Sequence, residues 1–208
     1  MKIVNYPHPA LRAKARPLTA IDEKVHRHAR IMLDLMYEAR GLGLAANQVA
    51  LPYRMIVLNL TGDAQQRDQE GVFINPVILE RKGGTVEDEE GCLSFPGLFA
   101  KVRRAKAVKV QAYNLQGEAV EVSASDLAAR CWQHEVDHLD GILFIDKMGP
   151  IARLKSRGAL KEFEREFRRA QEKGEIPPDA EIEKYLKALE EEVDLAGDGK
   201  GERNGPGF

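Results

Sequence analysis

The sequence predicts an α+β fold: short, mostly antiparallel strands packed around a central helix, with further helices at the N- and C-terminal ends. Three observations lead there. Apolar residues recur at helical spacing in three separated stretches, around 25–39, 127–138 and 151–173. Between the first two lie short β-rich runs set apart by glycine punctuation. The length, 208 residues with 43% hydrophobic content, suits one domain with a tail and can bury a real core.

Each element follows from local signals. Pro7, Pro9 and Pro17 make the start turn-rich. Asp22 reads as an N-cap; Val25, Ala29, Met32, Met36 and Ala39 then fall at helical spacing until Gly41. Met55-Ile56-Val57-Leu58 reads as a strand, and residues 61–71 as a polar loop. Short strands are expected around Val72–Ile74, Val77–Leu79, Val108–Tyr113 and Ala119–Val122, with Gly83-Gly84 and Gln116-Gly117 as turns. Ser123 or Ser125 can cap the central helix, which carries Leu127, Cys131, His134, Glu135 and His138 and ends at Gly141. A helix from about Ile151 to Lys173 has eight basic residues against four Glu, whereas residues 174–208 have ten acidic against four basic. The division expected is a catalytic domain over 1–173 and an acidic extension over 174–208. Within the extension, Pro177-Pro178-Asp179 opens a short helix ending near Asp194, and Gly197 to Phe208 is expected to be disordered.

Bulk properties exclude several classes. A net charge of −2 gives no reason to expect DNA binding. The first residues lack a continuous apolar run, so neither a signal peptide nor a membrane anchor is expected. Two cysteines, Cys92 and Cys131, are too few for a disulfide framework in a chain this long, which points to a reduced, cytoplasmic setting.

His134-Glu135-Val136-Asp137-His138 carries the chemistry. Residues i and i+4 of a helix share a face, so both imidazoles can reach one metal ion, and Glu135 between them can act on water without being a ligand. The flanking Trp132, Val136 and Leu139 bury this helix, where unpaired His and Glu would be costly. A catalytic metal usually has three protein ligands and one open position. The longer pattern H-E-x-x-H-x-x-G-x-x-H puts its third His at Phe144, which cannot ligate. Glu162 and Glu164 lie in a stretch that reads as a solvated helix face. Cys92, in Glu90-Gly91-Cys92-Leu93-Ser94, remains; it is either a small core residue or a loop thiol able to swing onto a metal as thiolate. A Cys/His₂ set by itself suits Zn²⁺. His26 and His28 are two apart on a helix and cannot face one ligand, and His8 sits in the N-terminal turn.

Together with Gly41-Leu42-Gly43-Leu44-Ala45-Ala46-Asn47-Gln48, the segments Glu90–Ser94 and Gln133–Gly141 resemble, in order, the three signature motifs of the peptide deformylases. The resemblance covers about residues 1–172, and the helical C-terminal stretch is similar to the bacterial subgroup with a helical C-terminus. It implies metal-dependent hydrolysis of the N-formyl group from the N-terminal formylmethionine of nascent proteins, releasing formate. By the same resemblance Cys92, His134 and His138 bind the metal, Fe²⁺ by family habit, with Zn²⁺, Ni²⁺ or Co²⁺ able to replace it. Glu135 moves the proton, while the Gln48 amide and the Leu93 backbone N–H stabilise the oxyanion. Leu42 and Gly43 bind the substrate main chain, and Leu127 and Cys131 line the methionine pocket. Asp88 and Arg130 stand at positions aliphatic in some relatives and are expected either to pair across the pocket rim or to point into water. Phe99 stands where some relatives carry a peptide-contacting Arg. The basic helix 151–173 can dock on the ribosome, and the acidic tail either screens it or merely solubilises. The rivals are an H-E-x-x-H endopeptidase, against which Phe144 argues, and a non-enzymatic binding module, against which Gln48, Cys92 and Glu135 argue.

Overall fold

A computed structural model describes the backbone of residues 1–198 and the side chains of residues 1–192. The elements run α1 (Glu23–Glu38), β1 (Gly43–Ala45), β2 (Met55–Leu58), β3 (Gly71–Gly91), β4 (Phe99–Tyr113), β5 (Ala119–Ser125), α2 (Asp126–Leu139), α3 (Pro150–Glu172) and α4 (Asp179–Asp198), with short 3₁₀ turns between some of them. The fold is α+β. One sheet holds the strands in the order β1-β2-β3-β4-β5, every neighbouring pair antiparallel.

The Asp22 carboxylate accepts the Val25 N–H at 2.9 Å and starts α1, as the N-cap signal predicts. Its stop is one residue earlier than expected. Arg40 takes the left-handed conformation (φ 56°), and the Gly41 N–H returns to the Met36 carbonyl at 2.8 Å. Gly41 is small for another reason: a Cβ there would stand 2.6 Å from Leu93 Cδ1.

Strand alternation divides the core. Met55 and Val57 of β2 pack with Val25, Ala29, Met32 and Met36 of α1. Ile56 and Leu58 point the other way, onto Ala129, Trp132, Val136 and Leu139 of α2. The sheet at β1 and β2 therefore lies between the two helices, which explains why all of β2 is buried. Val108, Val110 and Ala124 extend the α2 side across β4 and β5.

The expected break at Gly83-Gly84 is not there. β3 runs through it for 21 residues, and both glycines take positive φ (75° and 71°) at a register shift against β4. They form a bulge, not a turn. The chain reverses instead between Gly91 and Phe99, which places Cys92 at the end of a long ribbon. Ser125 does precede α2, though its side chain makes no capping bond.

α3 begins at Pro150, a residue suited to the first helical position. α4 extends to Asp198, beyond the expected end near Asp194. Its Ile182 and Leu186 are buried against Ala10 and Phe167. Lys24 meets Glu192 at 3.0 Å, and Arg16 meets Glu190 at 3.6 Å. Of the glycine-rich end expected to be disordered, residues 199–208 lie outside the described residues. Among those described, no helix is long and apolar enough to cross a membrane.

Candidate metal centre

α2 stacks His134 and His138 one turn apart, and their Nε2 atoms are 3.2 Å from each other. The reversal after β3 delivers Cys92, whose Sγ lies 3.2 Å from His138 Nε2. All three donor atoms fall within 4.8 Å of one another. A tetrahedral ion with bonds of about 2.0–2.1 Å to nitrogen and about 2.3 Å to sulfur would hold its ligands about 3.3–3.6 Å apart. The two 3.2 Å spacings fit such an ion, and so does the soft thiolate–imidazole donor set. Phe144 sits in the core, Glu164 accepts from the Tyr6 hydroxyl at 3.2 Å, and Glu162 pairs with Arg165. None of these three belongs to the donor group.

Glu90 orients His134. One of its oxygens lies 2.6 Å from His134 Nδ1, which leaves Nε2 facing the other two donors. Burial pushes the Glu90 carboxyl upward, but hydrogen bonds from His134 and Arg104 hold it well below the usual carboxylate range. Arg104 also binds Asp137, which Lys147 meets at 3.2 Å. Glu90 and Asp137 stand inside the quoted motifs, yet sequence reasoning gave them no role. The adjacent acidic and basic runs, 87–90 and 103–104, were the available signal, and only folding sets them opposite each other.

Glu135 is buried, and its Oε2 has no hydrogen-bond partner. Burial pushes its carboxyl up to about 7, with His134 opposing and Glu90 adding to the rise. Gly43 lies against this carboxylate: a Cβ there would be 2.7 Å from Oε1. β1, which carries Gly43, pairs with β2 alone among the described strands. Leu42 uses its carbonyl to accept the Asn59 N–H at 2.9 Å.

Gln48 is not a surface turn residue; it is 1% exposed, in a 3₁₀ turn (Ala46–Val49) that the sequence did not announce. Its carbonyl accepts the Ala45 N–H at 2.9 Å, which turns its amide nitrogen toward Cys92 Sγ (3.4 Å) and Ser94 Oγ (3.2 Å). Leu93 follows Cys92 directly and packs on Gly41, so the first two motifs touch. Leu127 is 54% exposed, one turn before half-buried Cys131, which is one turn before Glu135. Burial, with Glu135 adding, pushes the Cys131 thiol up to about 12, so it stays protonated at neutral pH.

Asp88 and Arg130 correct both expectations for them. Arg130 is 7% exposed and donates to Glu90 Oε2 at 2.9 Å, while the Asp88 carboxylate accepts the N–H of its neighbour Glu89 at 2.8 Å. They neither pair nor both face water. Phe99 is 62% exposed and lays its ring over Gly91.

The family model described as polypeptide deformylase matches residues 1–154, about three quarters of the chain. The chain belongs to the polypeptide deformylase family. Its activity is that of the family, hydrolytic removal of the N-formyl group from nascent peptides. The chain is 43% identical over 182 residues to the peptide deformylase of Rhodopirellula baltica, covering 88% of this chain and 90% of that one. With that of Neisseria gonorrhoeae it shares 43% over 161 residues, covering 77% and 94%. Crystal structures of Plasmodium falciparum peptide deformylase and of Arabidopsis thaliana peptide deformylase 1B with an inhibitor both superpose with TM-score 0.78 at 40% identity. They cover 80% and 85% of this chain, and 97% and 96% of their own. A span of 182 residues cannot end before residue 182, so the likeness to the Rhodopirellula deformylase enters α4 rather than stopping near residue 172.

Proposed function

We propose that this chain removes the formyl group from N-formylmethionyl peptides at a divalent metal held by Cys92, His134 and His138. The observation that carries the reading is Glu135: a buried carboxylate with one unpartnered oxygen, beside three grouped ligand donors. A bound ion supplies Lewis acidity, which makes water acidic near neutral pH and polarises the formyl carbonyl. Glu135 takes a proton from the attacking water and returns it to the amine as the C–N bond breaks and formate forms. The Gln48 amide, aimed at Cys92, and the Leu93 N–H beside it donate to the oxyanion. The open edge of β1 offers Leu42 and Gly43 backbone to the substrate main chain, and Leu127 and Cys131 flank its methionine side chain.

Fe²⁺ is the resident ion in this reading on family resemblance, although the donor set also suits Zn²⁺, Ni²⁺ or Co²⁺. A thiolate ligand and two unpaired cysteines accord with the reducing cytoplasm. All eight basic side chains between Ile151 and Lys173 are exposed, which supports docking of α3 on ribosomal phosphate. The catalytic unit is residues 1–173, with 174–208 an extension outside the chemistry. Glu135→Gln tests the central role. It should retain metal and lower kcat on a formyl-Met peptide by about 10²–10⁴. A variant keeping more than half of wild-type kcat would remove Glu135 from proton transfer.

A further inference from the structure

Four hydrogen-bonding groups saturate the Glu90 carboxylate. Oε1 takes Arg104 Nη2 at 2.6 Å and lies 2.6 Å from His134 Nδ1; Oε2 takes Arg104 Nε at 3.1 Å and Arg130 Nη1 at 2.9 Å. A carboxylate offers about four such sites, so this one has no freedom to swing. Arg104 cannot do this alone, because its remaining nitrogen binds Asp137 and its charge is divided between two buried carboxylates. Arg130 supplies the second guanidinium. It also donates to the Val102 carbonyl at 3.1 Å and the Val86 carbonyl at 3.3 Å, which ties α2 to β4 and β3. The ligand donors come from these same elements, Cys92 from the end of β3 and the two histidines from α2.

We propose that Arg130 is a positioning residue for the metal centre, acting through Glu90 on His134. The proposal rests on the ligand assignment above. With Glu90 pinned from both ends, the His134 ring is held with Nδ1 toward the carboxylate and Nε2 toward Cys92 and His138, before any ion arrives. The alternative is a purely structural staple, in which only the bonds to Val86 and Val102 matter. Arg and Lys divide these roles: a lysine can carry charge to Glu90 Oε2 but cannot reproduce the planar fork that reaches two carbonyls as well.

The experiment uses full-length protein loaded with Co²⁺, in wild type, Arg130→Lys and Arg130→Gln. Three quantities are read: the rate of cobalt loss to excess chelator, the visible spectrum including the thiolate band, and the thermal midpoint. Outer-shell partners of metal ligands are typically worth about 10–100-fold in affinity. Arg130→Gln should therefore release cobalt about tenfold faster and shift the spectrum. Arg130→Lys should release it within about twofold of wild type while losing as much thermal stability as the Gln variant. Gln release at the wild-type rate, or equally fast release from both variants in step with lost stability, overturns the proposal. Wild type holding cobalt that Cys92→Ala loses establishes the ligand reading separately. A wild type that holds none overturns both.

Discussion

A Cβ at Gly43 would stand 2.7 Å from Glu135 Oε1 and 2.7 Å from Leu58 Cδ2, closer than non-bonded atoms approach. Glycine at position 43 lets β1 approach the Glu135 carboxylate this closely. Gly43→Ala should displace either the carboxylate or the strand by a few tenths of an ångström or more. Misplacement of a reacting group by about 1 Å can cost about 10²-fold, so kcat on a formyl peptide should fall by about 10- to 100-fold with metal content retained. Wild-type turnover in that variant would mean that Glu135 works from a different rotamer. The small residues of the Gly41–Gln48 segment permit close backbone approach, and at Gly43 that approach is real. Arg130 was not legible in the same way. On a helix flanked by apolar residues it reads as an exposed charge, because its partner Glu90 is 40 residues earlier and meets it only in the folded sheet.

Among the elements, local signals held for helices and misled for the long ribbon. The cap at Asp22 and the spacing of Val25, Ala29, Met32 and Met36 are contained within a few residues, so α1 could be read directly. Gly83-Gly84 gives the same signal whether the chain turns or bulges, and what decides is pairing with β4, where Glu87 faces Arg103 and Glu89 faces Lys101. α4 was read as a helix, but its docking was not, since scattered apolar positions in an acidic stretch say nothing about their receptor. Leu186→Asp tests that docking. Burial of a leucine side chain is worth about 1.5–3 kcal/mol, and about 2–4 °C per kcal/mol applies at this size. Melting should therefore drop by about 3–12 °C, while kcat/KM on a short formyl peptide stays unchanged, because the site residues lie on β1, α2 and the loops before it. A matching loss of kcat/KM would make α4 part of the catalytic unit and move the domain boundary past residue 173.

Charge is distributed across the whole molecule in a way no single element discloses. From Ile151 to Lys173 there are eight basic residues against four acidic, and from Gly174 onward ten acidic against four basic, so a near-neutral sum of −2 conceals two opposed segments. Among the described residues, ion pairs of α4 reach Lys24 and Arg16, on the N-terminal side, while Glu181, Glu183 and Glu191 are exposed. The acidic segment touches the end of α3 through Lys173 with Glu175 at 3.9 Å and Gln171 with Asp179 at 2.8 Å, and the exposed Glu181, Glu183 and Glu191 add a longer-range field to that local contact. Such a field fades beyond about 10 Å at 0.1 M salt. The triple variant Glu181→Gln, Glu183→Gln, Glu191→Gln keeps Ile182 and Leu186 docked and shifts the net charge from −2 to +1. If α3 docks on ribosomal phosphate, this variant should co-sediment with ribosomes more tightly than wild type at low salt. The two should converge as salt rises, since the added attraction is electrostatic and independent of sequence. Equal co-sedimentation at every salt concentration would make the acidic segment a solubilising appendage. Tighter binding that survived high salt would point instead to a direct contact made by α4.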